Sequence, residues 1–330
     1  MRILISDALR RSGKIELLGT GKNGKEGVDL VNKFSPDVVL TDMVMPEYDG
    51  LYLVKNVMLE NPTPVLVLSA LNKDSHQIFD ALHEGAVDFV EKNVQAESDN
   101  TVFDEILLRK ITIASESKFG KKRRAKKNNT AHTFKENLNY DIIALGSSTG
   151  GPSALESIIK RLPSNLSIPV VIAQHMPERF IESFAKRLNA EVDFTVKVAE
   201  KGEVVRVGTI YLMPGHTNTK IIRDINSGEL TFAFTTKKYV EFNHPSVDCL
   251  FESLERATGK KTLAAILTGM GKDGINGMRK LQAKGAFTIA QDEASSVVFG
   301  MPKFAIDNKV VNRVVSLKDM PAFIVSCCDL

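Results

Sequence analysis

Along most of this chain, short runs of β-branched and other apolar residues alternate with stretches whose apolar residues recur every three or four positions. That alternation predicts an α/β architecture, because parallel strands need crossover connections and helices supply them. In the first part the strand-like runs are IELLGTG (15–21), DVVLTD (37–42), PVLVLSA (64–70) and AVDFVEK (86–92), separated by GKEGVDLVNKF, LYLVKNVMLE and DSHQIFDALHEG. In the second part they are YDIIALG (140–146), IPVVIAQ (168–174), GTIYLMP (208–214), ELTFAFT (229–235), KTLAAILT (261–268) and AFTIAQ (286–291). The helical stretches there are PSALESIIKRL, ERFIESFAKRL, VDCLFESLERA and INGMRKLQAKG. In open sheets of this kind ligands bind beyond the carboxyl ends of the strands, so the residues just after each run are the candidates for chemistry.

The two parts are separated by residues 118–138 (KFGKKRRAKKNNTAHTFKENL), which lack periodicity and read as a solvated, self-repelling tether. The expected organisation is a domain over 1–117, this basic linker over 118–138, and a domain over 139–330. A chain of 330 residues suits two domains. Residues 121–127 (KKRRAKK) hold six positive charges, so a formal net charge of +3 becomes −3 for the rest of the chain. The positive balance therefore belongs to the tether and argues against a nucleic-acid-binding face spread over a domain. No apolar run approaches the ~18 residues of a membrane span, and the start is too charged for a secretory signal. Three cysteines (Cys249, Cys327 and Cys328), two of them adjacent, suit a reducing cytoplasm. The expectation is a cytoplasmic protein with no membrane insertion and no DNA partner.

In the first part, Asp42, Ser69 and Lys92 fall at strand ends. A carboxylate, a small hydroxyl and an ammonium converging there can host phosphoryl chemistry, although a polar residue at a strand end is also a common turn former. The surrounding TDMVMPEYDG, LSA and FVEK resemble the receiver domain of two-component response regulators over about residues 1–93. The resemblance implies a flavodoxin-like parallel sheet and phosphorylation of Asp42 by a histidine kinase with Mg²⁺. It also implies Ser69 as the switch hydroxyl, Lys92 as the partner of the phosphoryl group and Phe89 as the aromatic that repositions. Two departures stand out. Asn93 replaces the Pro that usually follows the Lys, and the first strand, with the acidic pair that holds Mg²⁺, is missing. Residues 1–11 read instead as the first helix, with Met1, Leu4, Ile5, Ala8 and Leu9 at helical steps and Gly13 as its stop. Taking RILIS as the strand and Asp7 as its acid leaves about seven residues before Ile15, fewer than the ~11 of a typical helix. The expectation is a receiver without its first strand, through a misassigned start or a genuine truncation, with phosphorylation weakened or lost.

In the second part, DIIAL runs into Gly146-Ser147-Ser148-Thr149-Gly150-Gly151 and a helix opened by Pro152. Residues 146–150 satisfy G-x-S-x-G, the spacing that turns a strand sharply into a helix and lifts the middle Ser out of the backbone beside unpaired N–H groups. A nucleophilic Ser wants that setting for its oxyanion. An anion-binding loop and a purely structural turn remain open on this segment alone, although neither the dinucleotide spacing nor a Walker Lys is present. His175, His216 and His244 all lie near strand ends, and position does not choose among them as the base. Gly269-Met270-Gly271-Lys272-Asp273-Gly274 offers a carboxylate in a glycine-dense turn, with Asp273 equally readable as a helix N-cap.

GSSTGGP, AQHMP, LTGMGKDG and AQDEASSVVFGMP together resemble the catalytic domain of chemotaxis protein-glutamate methylesterases of the CheB type, over essentially all of 140–325. A receiver followed by this domain is that family's order. The resemblance implies a doubly wound, Rossmann-like α/β domain with Ser148 as nucleophile, His175 as base and Asp273 as orienting acid. Thr149 and the backbone near Met270 are then the oxyanion candidates. His244 and Asp248 in HPSVD match the family pattern without an assigned role, and His216 near its strand end has no assigned role either. The implied activity is hydrolysis of glutamyl γ-methyl esters on chemoreceptors, with deamidation of glutamines, needing no cofactor. A receiver covering the esterase site until Asp42 is phosphorylated, and a chemotaxis histidine kinase as partner, follow from the same resemblance. The rivals are a DNA-binding response regulator and a nicotinamide-dependent oxidoreductase.

Overall fold

The computed structural model describes residues 2–70, 75–92, 100–117, 140–239 and 244–328. Two compact units emerge, Met1–Lys122 and Arg123–Leu330. The expected linker, 118–138, lies outside the described residues, as does Asn93.

The first unit runs α1 (Arg2–Ser12), α2 (Gly24–Phe34), β1 (Val39–Asp42), α3 (Gly50–Glu60), β2 (Val65–Ala70), α4 (Ser75–His83), β3 (Asp88–Lys92) and α5 (Asn100–Glu116). Its sheet is parallel in the order β1-β2-β3, so each connection crosses over through a helix. The caps explain the boundaries. Asn23 accepts from the Glu26 N–H to start α2, and Asp49 accepts from the Tyr52 N–H to start α3. The amino-terminal segment is helical as its periodicity predicts: Ile5, Ala8 and Leu9 are buried, and Gly13 at φ 62° follows the helix. The run IELLGTG (15–21) is a correction to the expected strand, because it forms none. A strand needs a hydrogen-bonded neighbour. The sheet ends at β1, and among the described residues no strand pairs with residues 15–21. Leu17 and Leu18 instead line a cavity of about 1210 Å³ together with Leu30 and Leu40.

The second unit runs β4 (Ile142–Ser147), α6 (Gly151–Ile159), β5 (Val170–Gln174), α7 (Glu178–Glu191), β6 (Thr195–Val198), β7 (Thr209–Leu212), β8 (Asn218–Arg223), β9 (Leu230–Thr235) and α8 (Val247–Ala257). A 3₁₀ turn (Gly259–Lys261) leads into β10 (Thr262–Ile266), α9 (Ile275–Ala283), β11 (Phe287–Gln291), α10 (Met301–Asp307), β12 (Arg313–Val315) and α11 (Met320–Ser326). Seven strands form a parallel sheet in the order β12-β11-β10-β4-β5-β7-β6. The central strands β4, β5 and β10 are buried throughout, which is why they read as continuous apolar runs. The run ELTFAFT does form a strand, β9, but it pairs antiparallel with β8 outside the main sheet. The turn between them explains this: Asp224 accepts from the Asn226 and Ser227 N–H groups, and Gly228 sits at φ 72°. A link that short joins antiparallel strands only.

Candidate active site

The chain leaves β4 on one side through β5 and returns on the other side at β10. The carboxyl ends of β10, β4 and β5 therefore border the switch point at which a doubly wound sheet opens a crevice. Ser148 follows β4, His175 follows β5, and Asp273 lies in the turn after β10.

The G-x-S-x-G glycines have separate reasons. A Cβ at Gly146 would lie 2.3 Å from Cγ1 of Val247, so this strand end can approach α8 only without a side chain. Gly150 caps α6 at φ 75°, a left-handed conformation, with Val297 packed where a Cβ would stand. Ser148 is held through its backbone: its N–H donates to the Thr268 carbonyl at 3.0 Å, and its carbonyl accepts from Gly151 N–H at 2.8 Å and Gln174 Nε2 at 3.0 Å. Gly269 is needed for the same approach, since a Cβ there would lie 2.7 Å from the Cβ of Ser148.

Ser147 and Gln174 are the last paired residues of β4 and β5, and His175 N–H donates to the Ser147 carbonyl at 3.0 Å. Ser148 and His175 are thus the next residues on adjacent parallel strands, where backbones run ~4.8 Å apart. His175 Nε2 bonds Asp273 Oδ2 at 2.8 Å. Asp273 is 1% exposed and also accepts from Ser246 Oγ (3.0 Å), Val247 N–H (2.7 Å) and Asp248 N–H (3.0 Å). Burial opposes its ionisation, but the hydrogen bond and charge of His175 and the amides of Asp248 and Val247 outweigh it and hold the carboxyl below the usual carboxylate range. The helix that follows Asp273, α9, is capped by Gly274 with no side-chain bond. Asp273 instead faces the first turn of α8, a contact across 25 to 27 residues that no local pattern announces.

Of the three candidate histidines, His175 is the one bonded to Asp273. His216 pairs with Glu178 and is half exposed, and His244 is exposed. Thr149 is buried, its carbonyl accepting from Thr268 Oγ1, and Met270 is half-buried beside Gly269. Sequence reasoning missed Gln174, Thr268, Asn218 and Ser246. Ser246 was open to recognition as an N-cap before VDCLFESL, and it caps α8 by accepting from the Cys249 N–H. Asp248 is buried, accepts from Gly277 N–H at 2.7 Å and Asn276 Nδ2 at 3.3 Å, and its carboxyl is pushed up to about 6 by burial, with Asp273 adding to the shift.

In the first unit, Asp42, Ser69 and Lys92 lie at or near the carboxyl ends of the adjacent strands β1, β2 and β3, and Lys92 Nζ donates to Asp42 Oδ2. Lys92 and Ser69 are buried, while the Asp42 side chain is 33% exposed and open to a donor. Phe89 is buried, with Lys110 Nζ 5.2 Å from its ring centre. Among the described residues no group of three or more His, Cys, Asp or Glu could hold a metal ion, and the one side-chain partner seen on Asp42 is a cation. These residues do not fit the Mg²⁺ that the resemblance implies.

The response regulator receiver domain family matches residues 1–100, and the CheB methylesterase family matches residues 143–324. The match over 143–324 is to a methylesterase, not to a promoter-binding output domain or a nicotinamide enzyme. The protein-glutamate methylesterase/protein-glutamine glutaminase of Archaeoglobus fulgidus is 39% identical over 313 residues, covering 93% of this chain and 89% of its own length. That of Halalkalibacterium halodurans is 36% identical over 334 residues, covering 99% and 95%. Among solved structures, the CheB methylesterase catalytic domain of Thermotoga maritima is 38% identical and covers 56% of this chain and 97% of its own, with a TM-score of 0.54.

Proposed function

The chain belongs to the CheB methylesterase family, and from that premise we propose that it is a protein-glutamate methylesterase and glutaminase in which Ser148, His175 and Asp273 do the chemistry. The observation that carries the assignment is the 2.8 Å bond from His175 to the buried Asp273, one strand from a serine lifted on a glycine elbow. With Nε2 committed to Asp273, Nδ1 of His175 is the base. It takes the Ser148 proton as Oγ attacks the γ-carbonyl of a methylated glutamyl residue on a chemoreceptor. The oxyanion forms beside Thr149 and the backbone at Met270. Collapse expels methanol, which leaves with the proton held by His175. Water, deprotonated by His175, then cleaves the acyl-enzyme to free glutamate and Ser148. A glutamine follows the same route with ammonia as the leaving group.

Ser148→Ala is expected to abolish methanol release from methylated receptor membranes with an unchanged melting temperature, and retained activity refutes the assignment. In the receiver unit, Asp42 is the phosphoacceptor for a chemotaxis histidine kinase. Lys92 neutralises the added charge, Ser69 bonds a phosphoryl oxygen and Phe89 is the aromatic that responds. The three cysteines are buried thiols, which supports a cytoplasmic setting.

A further inference from the structure

The β8–β9 hairpin takes no part in the parallel sheet, yet its first residue reaches the catalytic network. Asn218 is 1% exposed; its Oδ1 accepts from the Ser246 N–H at 2.8 Å, and its Nδ2 donates to the Lys237 carbonyl at 3.0 Å. Ser246, also 1% exposed, uses its hydroxyl twice. The proton goes to Asp273 Oδ1 at 3.0 Å, and a lone pair accepts from the Cys249 N–H at 3.2 Å. The amides of Val247 and Asp248 close on the same carboxylate. Three donors on Asp273 therefore come from the first turn of one helix, and the fourth is His175.

We propose that Asn218 and Ser246 are positioning residues for the hydrolysis, fixing the first turn of α8 so that its donors aim Asp273 at His175. The proposal rests on the reading of Ser148, His175 and Asp273 given above. A carboxylate with donors at fixed points on both oxygens has one orientation in which all are satisfied. Removing the Ser246 hydroxyl frees it to rotate, and removing the Asn218 acceptor strands a buried N–H at the helix cap. Both residues are buried and act through Asp273, so the consequence falls on turnover and not on binding.

The test compares Ser246→Ala, Ser246→Thr and Asn218→Ala with Ser148→Ala, measuring methanol release from methylated receptor membranes across pH. Ser246→Ala is expected to lower kcat about tenfold, the worth of one charge-assisted hydrogen bond, with KM within about twofold. The acid limb of its pH profile moves to higher pH, because Asp273 has lost a donor to its ionised form. Asn218→Ala moves in the same direction, and Ser246→Thr, which keeps the hydroxyl, restores kcat. Wild-type kcat with an unmoved acid limb in Ser246→Ala, alongside an inactive Ser148→Ala, overturns the proposal alone. So does a loss confined to KM. An active Ser148→Ala overturns the catalytic reading itself. If Ser246→Ala does not fold, Asn218→Ala read the same way decides.

Discussion

Replacing Asp248 by Asn is expected to stabilise the second unit above pH 7, although it removes a buried hydrogen-bonded charge. Asp248 is 7% exposed, its N–H bonds the Asp273 carboxylate, and its carboxyl is pushed up to about 6 from an ordinary 3.8 chiefly by burial, with the Asp273 charge adding to the shift. Its folded state thus binds the proton more tightly than its unfolded state does. Stability falls as pH rises from about 4 to about 6 and then levels off. A shift of about two units corresponds to about 3 kcal/mol of cost carried at neutral pH. The Asn variant avoids that cost and keeps an oxygen for the Gly277 N–H. Its new amide faces Asn276, which has to turn over and give up the bond its Oδ1 accepts from Arg279, an exposed contact worth about 1 kcal/mol. The net expectation is about 1–2 kcal/mol of added stability at pH 8 and none at pH 4.5, read by urea unfolding of both chains at the two pH values. A variant less stable than wild type at pH 8, or an offset equal at both, refutes the reasoning.

Gly146→Ala is expected to destabilise the second unit by about 1–3 kcal/mol in thermal unfolding, because its methyl meets Val247, a fully buried β-branched residue in a helix with one comfortable rotamer. Methanol release falls with it, since the Val247 N–H is one of the donors on Asp273; unchanged stability argues against the close approach of β4 to α8. Because the residues around Asp42 do not fit Mg²⁺, a small-molecule phosphodonor is expected to raise methanol release by the full chain only weakly, and Asp42→Asn to remove that response. Identical rates with and without donor count against Asp42 as the switch.

Much of the architecture was legible because its signals are local. Helical steps in GKEGVDLVNKF and VDCLFESLERA, the apolar runs of β4, β5 and β10, and the glycines around Ser148 each follow from a few neighbouring residues. The short strands β6, β8 and β12 were not legible: three to six residues such as NTKIIR carry too few apolar positions to show alternation. The run IELLGTG misled for the opposite reason. It has strand composition, but a strand exists only beside another, and that neighbour is a property of the sheet order.

The amino-acid sequence by itself determined the α/β class, the elbow that presents Ser148 and the family to which its motifs point. Spacing left His175, His216 and His244 open, and the motifs pointed to His175 only through the family they resemble; the tertiary structure is what pairs His175 with Asp273 and gives Asp273 to the first turn of α8 in place of its own helix. Spacing along a chain reports periodicity within an element. Which side chains share a hydrogen bond depends on the order in which strands are laid side by side, and that order is written in contacts between residues tens of positions apart.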